Sequence, residues 1–247
     1  MPGNPVLIDA HAHLEAVEPV DEAVRKAAAA GVGKIVAVGM DLNSNAKTLK
    51  IAARFPEAVL PAVGYHPWRI RAEDAEQCIQ FIEDHLAGCV ALGEVGLDYK
   101  VKVKKPLQRD IFARVLTLAR DRNKPVIVHS RFSYERSFQM VSSAGIERAV
   151  FHWYSGPVEV LEQILRQGYY ISATPALAYS RFHRAAVKEA PLERILIETD
   201  SPVAYQGKKA TPANLVDTLK SLSLLKVRPM EEIAAATTNN AKRFFGL

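Results

Sequence analysis

Short apolar runs alternate with amphipathic stretches along the whole chain. The runs cover residues 6–14, 34–40, 59–66, 90–99, 125–131, 148–153, 169–173 and 195–199. They are rich in β-branched residues and nearly continuous in apolar character, as strands buried on both faces are. Between them, residues 21–30, 43–55, 75–86, 107–122, 134–143, 158–167, 182–189 and 213–225 read as helices. In the fourth, Ile111, Val115 and Leu118 recur at helical spacing, while Arg109, Arg114 and Arg120 are polar. Gly31 closes the first helix and Pro56 stops the second. Residues 230–245 predict one further helix. Eight strand–helix units predict a (β/α)8 TIM barrel with an extra C-terminal helix. A doubly wound open sheet is the alternative.

A chain of 247 residues fits one such barrel, so residues 1–247 are read as a single domain. Hydrophobic residues make up 49%, enough for a large core, and the 24% that are charged argue against disorder. No apolar run approaches membrane-spanning length. The net charge of +5 suits an anionic substrate only if it is concentrated in one place. Cys78 and Cys89 have no metal-ligand spacing and read as small core residues, which suggests a reducing compartment. The first strand begins by Val6, leaving no room for a signal peptide, so a cytoplasmic protein is expected.

The unusual polar residues fall at the C-terminal ends of the strands, where barrel enzymes keep their chemistry. The first strand ends Asp9-Ala10-His11-Ala12-His13, with two histidines at the two-residue spacing that puts side chains on one face. Two such imidazoles can chelate one cation. The fourth strand carries Glu94 in an apolar run, where a carboxylate is costly without a cation or proton. The fifth ends at His129, the sixth at His152, and the eighth holds Glu198 and Asp200 on one face. Four histidines and two carboxylates suit two divalent ions, zinc or manganese, with Glu94 as the bridge. Asp200 is expected to take a proton from the attacking water. Glu198 is expected to orient a histidine ligand, and Asp9 either to do the same or to hydrogen-bond local backbone.

With these residues in place, the chain resembles the TatD family of metal-dependent deoxyribonucleases, within the amidohydrolase superfamily. The resemblance runs through Asp9-Ala10-His11-Ala12-His13-Leu14, Gly64-Tyr65-His66-Pro67, Gly93-Glu94-Val95-Gly96-Leu97-Asp98-Tyr99, His129-Ser130-Arg131, His152 with Ser155-Gly156, and Glu198-Thr199-Asp200-Ser201-Pro202. Gln108, Phe112 and Asn240-Ala241 also match. It implies that His11, His13, Glu94 and Asp200 hold one metal, and Glu94, His129 and His152 the other. It further implies that His66 and Arg131 contact the scissile phosphate, that Asp98 supports the ligands, and that magnesium or manganese stimulates cleavage of DNA. Two segments depart from the family pattern. Trp153-Tyr154 stands where Cys-Phe is usual, and residues 203–212, with Lys208 and Lys209, replace a Pro-rich loop. These departures bear on substrate identity.

Lys100, Lys102, Lys104 and Lys105 crowd the loop after the fourth strand. Arg69 and Arg71 follow the third strand, and Lys208 and Lys209 the eighth. They either track a phosphate backbone, with Lys100 and Lys102 binding substrate, or form solvated loops. Tyr65, Trp68, Tyr99, Phe132, Trp153 and Tyr154 border the expected cleft, to stack on bases or to pack loops together. The competing functions are hydrolysis of an amide, ester or lactone, including an aminoacyl-RNA, on the same metals, or a scaffold that kept its metals for stability. The sequence gives no oligomeric state.

Overall fold

Each apolar run becomes one strand, and each strand pairs in parallel with the next. The computed structural model describes residues 6–247. In chain order they form β1 (Leu7–Ala12), α1 (Val20–Ala29), β2 (Val32–Val38), α2 (Leu42–Arg54), β3 (Val59–Val63), α3 (Ala75–His85), β4 (Ala91–Asp98) and α4 (Lys105–Asp121). There follow β5 (Val126–Arg131), α5 (Tyr134–Ser143), β6 (Ala149–Phe151), α6 (Val158–Arg166), β7 (Tyr170–Ala173), α7 (Arg181–Glu189) and β8 (Ile195–Ile197). A two-stranded ribbon, β9 (Ala204–Tyr205) and β10 (Lys208–Lys209), precedes α8 (Leu215–Lys226) and α9 (Met230–Phe245). The strand order is β1 to β8 without a crossover, so the sheet is a (β/α)8 barrel and not a doubly wound sheet.

Two apolar layers hold it. Ile8, Val36, Ile127, Val150 and Leu196 pack inside the barrel, and α9 sends Phe244 and Phe245 into the same cluster. The helices pack their apolar faces on the outer side, with Leu92, Phe112, Val115 and Ile164 among the fully buried residues. Local signals fit the packing. Asp41 caps α2, its carboxylate accepting from Ser44 N–H at 2.8 Å while the Ser44 hydroxyl accepts from Asp41 N–H at 2.8 Å.

The seam between β8 and β1 is not a regular ladder. The eighth strand was expected to run through Thr199, yet it ends at Ile197. Beyond it the Asp9 carboxylate replaces the missing backbone partners. Thr199 donates its N–H to Asp9 Oδ1 at 2.9 Å and its hydroxyl to Asp9 Oδ2 at 2.6 Å. Asp200 N–H then bonds His11 carbonyl at 3.0 Å, and His13 N–H bonds Ser201 carbonyl at 2.7 Å. A side chain therefore starts the closure and the backbone completes it.

Two further irregularities lie where the chemistry was expected. Pairing slips by one residue between Asp9 and Ala12 of β1, and again between Leu92 and Val95 of β4. Bulges of this kind re-aim side chains, and these two contain His11 and Glu94. Glycine is required beside the second. A Cβ on Gly64 would lie 2.5 Å from the Glu94 carbonyl oxygen, and one on Gly96 would lie 2.0 Å from that of His129.

Candidate metal centre

Five of the seven histidines converge at the C-terminal mouth of the barrel around Glu94. Glu94 Oε2 lies 3.3 Å from both His11 Nε2 and His13 Nε2. Those two nitrogens are 3.3 Å apart, and Asp200 Oδ1 lies 3.4 and 3.5 Å from them. A tetrahedral ion with bonds of about 2.0–2.1 Å has ligand atoms about 3.3–3.4 Å apart, so this group has the spacing of a metal cage. The other carboxylate oxygen, Glu94 Oε1, lies 2.8 Å from both His129 Nδ1 and His152 Nε2, which are 3.4 Å from each other. One buried carboxylate thus joins two groups of nitrogen donors.

The outer ring nitrogens show which lone pairs face inward. His13 Nδ1 donates to the Val38 carbonyl at 3.3 Å. His129 Nε2 donates to Asp98 Oδ2, and His152 Nδ1 to Glu198 Oε1, each at 3.3 Å. Neutral rings held this way point lone pairs at carboxylate oxygens. Only a cation or extra protons makes that arrangement favourable, and outer carboxylates are the usual partners of metal-bound histidines. The electrostatics agree. Burial alone would raise the Glu94 carboxyl, but His66, His152 and His11 outweigh it and hold it well below its ordinary value. Burial likewise opposes, and His13 with His11 and His152 overcomes, so that Asp200 is also lowered. His13 and His152 are raised well above the ordinary imidazole value, because their carboxylate neighbours outweigh desolvation. Asp98 falls to about 2, its hydrogen bonds to His129, Trp68 and Lys100 overcoming burial. The residues present fit two divalent ions.

His66 differs from the other four. Its Nε2 lies 3.2 Å from Glu94 Oε1, close enough to resemble a ligand. However, its Nδ1 accepts the Trp68 backbone N–H at 3.1 Å. Burial lowers it to about 4, so the ring is neutral with its proton on Nε2. It is a hydrogen-bond donor facing the centre, not a lone pair.

Several expected placements differ in the structure. Glu198 and Asp200 do not share a strand face, because both lie beyond β8. Asp200 adopts φ 49° and turns to His11 and His13, while Glu198 reaches His152. Asp9 touches no imidazole. As its alternative reading expects, it accepts from local backbone, the His11 N–H at 3.4 Å, and it also binds the backbone and hydroxyl of Thr199, 190 positions away; burial pushes its carboxyl up to about 8. Arg69 and Arg71 pair with Asp41 and Asp74. Of the bordering aromatics, Tyr65 and Tyr154 are buried and Tyr99 lies under Lys105, whereas Trp68 and Phe132 stand 49% and 65% exposed. Lys100 and Lys102 are exposed beside the mouth, and Arg131 is half-buried at the end of β5. The sequence reading missed His183, a buried histidine on α7. It bridges the Tyr154 carbonyl and the Thr174 N–H, and its position on the buried face of an amphipathic helix was the available signal.

The profile of the TatD related DNase family matches residues 8–246. The metal-dependent hydrolase YabD of Bacillus subtilis is 31% identical over 97% of this chain and 99% of its own. The human deoxyribonuclease TATDN3 is 30% identical over 97% of this chain and 94% of its own. The crystal structure of YJJV, a TatD homologue from Escherichia coli, superposes with a TM-score of 0.89 at 28% identity, covering 99% of this chain and 100% of the other. A barrel with this donor set and these relatives is a metal-dependent hydrolase, and the chain belongs to the TatD-related DNase family.

Proposed function

We propose that the protein is a deoxyribonuclease that removes nucleotides from DNA ends, using two divalent cations drawn from zinc, manganese and magnesium. The observation that carries this reading is Glu94, whose two oxygens serve two separate groups of histidines. When bound, paired ions lower the pKa of water and offset charge on the scissile phosphate. His11, His13, Glu94 and Asp200 would hold one, and Glu94, His129 and His152 the other. Asp200 directs Oδ1 at the two histidines, leaving Oδ2 to receive the proton of the attacking water. His66 offers its Nε2–H, and Arg131 its guanidinium, to the phosphate oxygens. Lys100 and Lys102 follow the neighbouring phosphates. The name of the human relative, a deoxyribonuclease, supports this choice of substrate. Cys78 and Cys89, both free and buried, suit a cytoplasmic enzyme. No helix among the described residues is long and apolar enough to cross a membrane.

The test is a panel assay on chelated protein to which zinc, manganese or magnesium is returned. Substrates are single- and double-stranded DNA, RNA, and small esters, amides and lactones. DNA shortened from its ends only after metal is restored, with two ions per chain at full activity, is the expected result. Hydrolysis of an amide or lactone with DNA untouched would overturn it.

A further inference from the structure

Trp68 follows β3 on the rim of the mouth and is half-exposed, as a surface tryptophan can be without consequence. This one turns both of its N–H groups inward. Its indole N–H donates to Asp98 Oδ2 at 2.6 Å, the same oxygen that accepts from His129 Nε2 at 3.3 Å. Its backbone N–H donates to His66 Nδ1. The indole meets both imidazoles edge-on, with centroids 4.9 Å from His66 and 6.0 Å from His129. Asp98 itself is fully buried and tightly placed. Gln108 brackets its backbone N–H and carbonyl, and Lys100 N–H holds Oδ1 at 2.8 Å. One oxygen, Oδ2, remains to face His129, and Trp68 is the second donor that fixes it there.

We propose that Trp68 is a positioning residue that acts through Asp98, keeping the His129 proton on Nε2 and the Nδ1 lone pair directed at Glu94. It touches no reacting atom. The inference rests on the metal-centre reading and not on DNA being the substrate, and its test uses no DNA.

The test compares wild type, Trp68→Phe, Asp98→Asn and the double variant by zinc competition with a chromophoric chelator. Phenylalanine keeps an aromatic ring but loses the indole N–H together with the second ring, and asparagine removes the charge and must set its amide N–H2 against a donor, either the Lys100 N–H or the Trp68 and His129 pair. Trp68→Phe should weaken one of two zinc ions by about three- to tenfold, below the roughly 10–100-fold typical for losing the carboxylate partner. The double variant should bind no worse than Asp98→Asn alone, because both changes break one chain of contacts. A second readout needs no metal. The protein has two tryptophans, so loss of one indole N–H resonance in Trp68→Phe assigns the signal. In wild type that proton should exchange slowly with water despite the exposed ring, and in Asp98→Asn faster, because a neutral amide oxygen accepts more weakly than a carboxylate. Wild-type zinc binding by Trp68→Phe, fully additive losses in the double variant, or fast exchange in wild type would each overturn the proposal.

Discussion

Asp200 reaches the histidines of β1 through a left-handed turn at φ 49°, anchored by its own N–H on the His11 carbonyl. In the proposed mechanism its charge serves the ion cage and its second oxygen takes the proton, and asparagine has neither the charge nor a basic oxygen. At saturating metal, Asp200→Asn should lower kcat by about 10²–10⁴-fold or more, the usual worth of a general base. Circular dichroism should be unchanged. Near wild-type turnover would remove Asp200 from the mechanism. Asp9, at the same seam, answers to a different measurement. Asparagine there still accepts the Thr199 N–H and can donate to the Thr199 hydroxyl, so Asp9→Asn should keep both stability and most activity. Asp9→Ala leaves that buried N–H without a partner, at a cost of about 1–3 kcal/mol in urea unfolding. Equal stability of the Ala and Asn variants would show that the seam closes without this carboxylate.

On α7, His183 links the end of β7 to the loop after β6 through Thr174 and Tyr154. Burial lowers its pKa from 6.5 to about 4, so it is neutral when folded at neutral pH. Between those values the unfolded chain binds a proton that the folded chain does not. Its contribution is therefore present above about pH 6.5 and is lost as pH falls toward 4, by roughly 3 kcal/mol in all. In His183→Asn the donor to Tyr154 can persist while the titration disappears. Urea midpoints measured from pH 7 to 4.5 should then fall less steeply than in wild type. Metal release is common to both, so identical slopes would mean that His183 does not titrate this way. Elements with strong periodicity were legible in sequence: residues 134–143 and 230–245 were read with the bounds of α5 and α9. The end of β8 was not, because its partner is a side chain 190 positions away. Nor was the β9–β10 ribbon, whose strands have two residues each. Its turn residues, Gln206 and Gly207, take φ 50° and 83°, but Gln-Gly lacks the asparagine that usually signals such a turn. Across the ribbon's base Tyr205 packs on Trp153, with ring centroids 5.4 Å apart. The two segments that depart from the family pattern are thus one wall beside His152 and Asp200. That contact could not be read from either segment alone.

Over the whole molecule, a net charge of +5 has meaning only through where unpaired cations gather. Among the described residues, Arg69 and Arg71 on the loop after β3 are paired with acids, and Lys105 covers the Tyr99 ring at 4.6 Å. No described carboxylate lies within 4.0 Å of Lys100, Lys102, Lys208 or Lys209. These four stand on the loops after β4 and β8, on the face where the histidines converge. A lysine that neutralises a phosphate releases counterions, and each such contact steepens the fall of log K with log salt by about 0.7 for a single strand. A lysine already paired, or far from the strand, adds nothing to that slope. Replacing Lys100 and Lys102 with serine should therefore flatten the salt dependence of single-strand binding by up to about 1.4, and replacing Lys208 and Lys209 by a similar amount. Replacing Arg69 and Arg71 should leave the slope unchanged, since their charge is already met by Asp41 and Asp74. Binding is best measured in calcium, so that no cleavage competes with the titration. Loss of slope at the arginines with none at the lysines would place the strand on the β3 side of the mouth. An unchanged slope in every variant would mean that the phosphate contacts are confined to the metal centre and Arg131.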